Sequence, residues 1–186
     1  MCHGDRVTEL LTVAQYAALG EAEAGYTELV EGRLIRSPKA LAEHNFACGN
    51  LIMQLAGQLP EDLQVAYAVD VDLELAPPGE PGFVRRPDLV VFQRRRRPGG
   101  LVRAAEVVLA VEVLSSDSHY TDRRAKRLDY AEAGIPFYWI VDLDEPVSTT
   151  PLRLTDRRYQ EASAETGVHE AVEPFPLKIQ LDQLIG

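Results

Sequence analysis

The sequence is poor in cysteine, poor in aromatic residues and short of basic charge. Only Cys2 and Cys48 occur in 186 residues. Their spacing fits no cysteine metal motif, and a structural disulfide is not expected in a reducing compartment. No apolar run approaches the roughly 20 residues that a membrane-crossing helix requires. The opening residues, MCHGDRVTEL, hold no apolar segment of the kind a signal peptide needs, so a cytoplasmic protein is expected. Lysine and arginine number 19 against 29 aspartates and glutamates, a net charge of −10. That balance argues against a protein that coats nucleic acid non-specifically. It leaves room for an enzyme that touches phosphates over a small basic patch. The chain also lacks repeats, a low-complexity tail, a domain linker, a helix-turn-helix, a zinc finger and an aromatic stacking platform. What is present reads as one domain, residues 1–186, at 46% hydrophobic content and long enough to bury a core without staples.

The chain is organised around Val107 to Asp142. Val107 to Leu114 is apolar except for Glu112, and a run so short and rich in valine and leucine reads as a strand covered on both faces. A polar segment, SSDSHYTD, follows, and then a helix that carries Asp122, Arg123, Arg124, Lys126 and Arg127 and is capped by Gly134. Phe137 to Val141 is a second apolar strand. Strand, helix and strand in about 35 residues make a βαβ crossover, with the strands parallel and the helix over the sheet.

Before it, Thr12 and Gln15 fit a capping box for a short helix that ends near Gly20 or Gly25. Glu31-Gly32 predicts a tight hairpin between two β-prone runs. Leu41, Cys48, Leu51, Ile52, Leu55 and Leu59 repeat at helical spacing within 40–59, with His44 one turn before Cys48. From Gln64 to Leu75 the period becomes two, predicting one long strand with Asp70, Asp72 and Glu74 on an acidic face. Leu89 to Phe92 is another apolar strand. After Val141, short strands are expected over Leu152–Leu154, Tyr159–Glu161 and Val168–Val172, with a turn of helix near Leu181–Ile185. The fold class is therefore α/β, a mixed central sheet flanked by helices.

A carboxylate inside an apolar strand is costly unless a cation pairs with it. Glu112 is such a residue, and Lys126 faces back toward it from the helix. If the strand that begins at Asp88 lies beside the Val107–Leu114 strand, two carboxylates converge. Together with a backbone carbonyl such as that of Val113, and water, they suit Mg²⁺, with Mn²⁺ as an alternative. A cation there would neutralise a phosphate oxygen and acidify an attacking water, and a lysine beside it would stabilise developing charge. Arg85, Arg86, Arg94 to Arg97, Arg123, Arg124 and Arg127 could guide a nucleic-acid backbone past that acid pair.

Asp88, Glu112 in VEVLSS and Lys126 resemble the PD-(D/E)XK nuclease superfamily, in the variant whose lysine has migrated to the following helix. Leu114 stands where the usual lysine would be. YTELVEGRLIRSP, His44, RRPDLVVF and EVLSSDS…D…K…Y…GIPFYWIVD together resemble the Uma family of restriction-endonuclease-like proteins, over about Tyr26 to Val141. The resemblance implies a restriction-endonuclease-like fold and a metal-dependent endonuclease acting on DNA, with Asp88, Glu112 and Lys126 catalytic. It adds Glu31 as a recurrent acid, and it favours His44 as an auxiliary. Tyr130 and Asp122 share the helix face of Lys126. Ser115 and Ser116 read as loop residues for lack of a supporting base. The rival readings are a catalytically silent nuclease fold that binds protein or nucleic acid, and a small-molecule phosphoesterase. The strand near Phe137 and the acidic strand face could also serve a homodimer.

Overall fold

Thr12 caps the first helix. Its hydroxyl accepts from the Gln15 N–H while the Gln15 side chain accepts from the Thr12 N–H, and this capping box opens α1 (Val13–Ala18). The computed structural model describes residues 10–20, 25–37, 41–94, 100–114 and 120–185, and for 120–123 the backbone alone. β1 (Tyr26–Val30) and β2 (Arg33–Ser37) form the expected hairpin. Its two turn residues, Glu31 and Gly32, have φ of 50° and 75°, the pair of positive values a two-residue hairpin turn requires.

The helical repeat before residue 59 becomes α2 (Ala42–Ala56), which buries His44, Ala47, Cys48, Leu51 and Leu55. Leu41 departs from the expected stripe: it is the N-cap and is exposed, because the helix begins one residue after it. The one long strand predicted over 64–75 is not formed. Instead β3 (Leu63–Tyr67) stops at Ala68, whose φ of 47° bends the chain while its N–H donates to the carbonyl of Asp88 at 2.8 Å. The chain resumes as β4 (Val71–Asp72) in another sheet. The polarity alternation continues through the bend, so period alone could not reveal it.

β5 (Val84–Arg85) pairs with β1 and β4, and β6 (Leu89–Gln93) pairs with β3. Thus 68–70 and 86–88 both pass between the two sheets. β7 (Val102–Arg103) completes a five-stranded sheet in the order β2-β1-β5-β4-β7. The larger sheet is built on β8 (Val107–Leu114), α3 (Tyr120–Glu132) and β9 (Phe137–Asp142). β8 and β9 are parallel, in register from Leu109–Phe137 to Leu114–Asp142, as a crossover requires. Gly134 (φ 79°) donates to Ala131 and Ile135 to Tyr130, the paired bonds of a Schellman cap that ends α3. β10 (Ser148–Thr155), β11 (Arg158–Glu161) and β12 (Glu165–Thr166) extend that sheet to seven strands. β13 (Val168–Ala171) and β14 (Leu177–Gln180) form a separate hairpin. A 3₁₀ turn at Leu181–Gln183 stands where a closing helix was expected.

The large sheet is covered on both faces, which explains its near-continuous apolar strands. Leu89, Val91, Leu109, Val111, Val113 and Trp139 pack with α2, whereas Val90, Ala110 and Tyr138 pack with Tyr130 and Ala131 of α3. Glu112 alternates with Val111 and Val113, so its side chain goes to the α3 side. Among the described residues, no helix is long and apolar enough to cross a membrane.

Candidate active site

Glu112 lies in the interior of β8, and only 7% of it is exposed. Both its oxygens are 3.1 Å from the Lys126 ammonium, and its Oε1 also accepts the Tyr130 hydroxyl at 2.8 Å. Lys126, Asp129 and Tyr130 are spaced i, i+3 and i+4, so they share one face of α3. Burial pushes the Glu112 carboxyl above its ordinary value; Lys126 opposes this, and Asp88 and Glu28 add to it.

Asp88 stands immediately before β6. Leu89 pairs with Val111 in the antiparallel register of β6 and β8, which sets Asp88 beside Glu112 and Val113. Its Oδ2 accepts the Val113 N–H at 2.8 Å, and its Oδ1 is 3.2 Å from Nε2 of His44 on α2. The bond to Asp88 raises the His44 pKa above its ordinary 6.5, against the opposing effect of burial. Cys48, one turn further along α2, has its Sγ 3.7 Å from His44 Nδ1. His44, Cys48 and Asp88 could together offer three ligand atoms within 4.8 Å. Burial pushes the Cys48 thiol strongly upward, and Asp88 and Glu112 reinforce it.

The second carboxylate at Lys126 is Glu28 of β1, 1% exposed, with Oε1 3.2 Å from the ammonium. Glu28 also accepts from Arg85 Nη1 and from the Arg86 N–H, each at 2.8 Å. Arg85 in turn donates to Asp129 through Nε at 2.8 Å and Nη2 at 2.6 Å. Burial works against the Arg85 charge, but Glu28 and Asp129 outweigh it and hold the guanidinium protonated. Four carboxylates, Glu28, Asp88, Glu112 and Asp129, therefore gather around Lys126 and Arg85 among the described side chains. The clustered carboxylate oxygens are donors of the kind that suit a hard divalent cation.

A family model described as "Uma2: Putative restriction endonuclease" matches residues 13–183. The chain belongs to the Uma2 family. No curated protein matches it. Its structure is similar to the crystal structure of a putative nuclease belonging to DUF820 from Anabaena variabilis ATCC 29413. The TM-score is 0.66 at 18% identity, covering 94% of this chain and 97% of that one, a likeness of fold.

In this Uma2 chain Asp88 contacts Val113 and His44, and Glu112, on the neighbouring strand, contacts Lys126. Glu31 is not among them. It occupies the exposed hairpin turn at φ 50°, and the acid that reaches Lys126 is Glu28, three residues earlier. The physical reason is that a turn residue with positive φ points out of the sheet region, whereas Glu28 is inside β1. Glu28 lies in a shorter run, YTELV, whose threonine and half-buried positions blunt the signal that singles out Glu112. Asp129 and Arg85 carried no such signal. Tyr130, on the helix face of Lys126, donates its hydroxyl to Glu112.

The arginines are mostly engaged. Arg85 is buried in the ion network rather than exposed to guide a nucleic-acid backbone. Arg86 pairs with Asp70 at 2.7 Å, Arg94 donates to the Glu61 and Leu63 carbonyls, and Arg127 binds Glu161 and the Tyr159 carbonyl. Arg124 is exposed. Arg95 to Arg97, Ser115 and Ser116, and the side chains of Asp122 and Arg123, lie outside the described residues. Asp72 accepts from the Glu74 N–H and Glu74 pairs with Arg103, so the expected acidic strand face is largely committed to local contacts.

Proposed function

We propose that this Uma2 domain is a divalent-cation-dependent endonuclease that hydrolyses DNA phosphodiesters at Asp88, Glu112 and Lys126. One observation carries the reading: two carboxylates on neighbouring strands, one beside a backbone amide and a histidine, the other against a lysine. Asp88 and Glu112 would hold Mg²⁺ or Mn²⁺. The Val113 carbonyl would join them, since strand geometry puts it on the same edge of β8 as its N–H. When bound, the cation supplies charge neutralisation on a phosphate oxygen and a more acidic water.

The chain's own residues account for the rest. In one-step hydrolysis the water oxygen bonds to phosphorus as the bond to one ester oxygen breaks, and that oxygen takes up a proton. Lys126, paired with two carboxylates, serves as a positive group and hydrogen-bond donor rather than as a base. His44, whose protonated form Asp88 favours, lies beside the acid pair where it can orient water or touch phosphate. Glu28 takes the auxiliary acid role expected of Glu31.

The hold of Lys126 on both Glu112 oxygens favours a second reading, a nuclease fold that binds but does not cut. Nicking of supercoiled plasmid with Mg²⁺ or Mn²⁺ separates the two. Wild type should cut, and Glu112→Gln and Lys126→Ala should not. Equal inactivity of all three across metals and substrates removes the endonuclease. Equal cutting by all three removes the proposed site.

A further inference from the structure

The Lys126 ammonium touches carboxylates from two different strands at nearly equal distance, 3.1 Å to Glu112 of β8 and 3.2 Å to Glu28 of β1. A divalent cation on Glu112 would meet that ammonium as a like charge, and the two would repel. The ammonium must then retreat without leaving the site, and the burial of its surroundings leaves little water to receive it. We infer that Glu28 is a positioning residue: it offers Lys126 a second seat, so that Glu112 can be released to the cation while the lysine stays beside it. The inference rests on the cation reading above.

Glu28 is built for such a role because its place does not depend on Lys126. Oε2 is held by Arg85 and Oε1 by the Arg86 N–H. Arg85 is itself fixed by Asp129, one turn from Lys126 on the same helix, so β1, β5 and α3 are locked together around the seat. Glu112 likewise keeps a partner when the ammonium swings away, since Tyr130 still donates to Oε1. The lysine stem is flexible enough for the small excursion, whereas the planar, multiply bonded Arg85 is not. A movable cation thus sits between two fixed acids.

The test is calorimetric titration of the full chain with Mn²⁺, with folding checked by circular dichroism. The variants are Glu28→Gln, Glu28→Asp, Lys126→Met and the Glu28→Gln/Lys126→Met double. Glu28→Gln should weaken Mn²⁺ binding about tenfold, in the usual range of coupling between two sites. Glu28→Asp should behave the same way, because it withdraws the carboxylate by about 1.5 Å, one carbon–carbon bond. Lys126→Met should bind at least as tightly as wild type, and in that background Glu28→Gln should have no effect.

A loss that persists in the Lys126→Met background would mean that Glu28 acts on the cation directly, and would overturn the inference. Wild-type affinity in Glu28→Asp would overturn it as well, since charge alone would then suffice. So would weaker binding by Lys126→Met. If Glu28→Gln does not fold, Glu28→Asp and Lys126→Met decide the matter. Absence of Mn²⁺ binding by wild type would remove the cation reading itself, a result distinct from a failed cycle.

Discussion

Two sets of ion pairs in this molecule use the same side-chain types to opposite ends. Glu74–Arg103 and Arg153–Glu173 lie at the surface, with both arginine side chains 61% exposed. Glu28, Glu112, Lys126 and Arg85 are almost wholly enclosed. Exposed pairs exchange protein contacts for water at little net gain. An enclosed set has lost its water, and every member depends on the others. The surface pairs remain in contact with water, whereas the enclosed set is surrounded by the two sheets and α3.

The largest expected effect comes from breaking the enclosed set at its centre. Lys126→Met leaves Glu28 and Glu112 together without their shared cation, and should destabilise the chain by about 3–5 kcal/mol in urea denaturation. Tyr130→Phe removes a single donor to Glu112 and should cost about 1–3 kcal/mol in the same measurement. A loss much smaller than that would mean the carboxylate finds another partner.

His44 sharpens the comparison through pH. Its folded pKa is raised, chiefly by the bond to Asp88, so the stability it contributes is complete below its ordinary 6.5 and fades as pH rises through the folded value. His44→Gln should therefore be most destabilising below about pH 6 and progressively less so toward alkaline pH. A loss independent of pH would mean that the ring acts by packing alone. The smallest effect is expected at the surface: Arg103→Ala should leave both the unfolding midpoint and plasmid nicking unchanged. A clear loss there would dissolve the distinction between the two sets.

The crossover from β8 through α3 to β9 was legible because local signals agree: valine-rich strands, a glycine at the helix end and a length too great for a hairpin. The hairpin at Glu31-Gly32 and the capping box at Thr12 were legible for the same reason. Asp88, Glu112 and Lys126 could be named together because an acid in an apolar strand demands a partner. The residues around them could not. Whether Glu28 or Glu31 reaches the lysine depends on the packing of β1 against α3, between segments nearly 100 positions apart in the chain. The bend at Ala68 depends on a hydrogen bond to the Asp88 carbonyl, 20 positions away, which no periodicity contains.

By itself, then, the sequence determined most of the elements, though not the break between β3 and β4, and the charges that had to be reconciled within them. Burial in a strand is a property of the local pattern, and its electrostatic demand follows directly. Only the tertiary structure decided who meets that demand. Arg85 and Asp129 become companions of the site because two sheets exchange chains beside Asp88, leaving little solvent to screen Glu28 and Glu112. In that enclosure partner choice is set by distances of about 3 Å between remote segments, a scale at which sequence spacing carries no information.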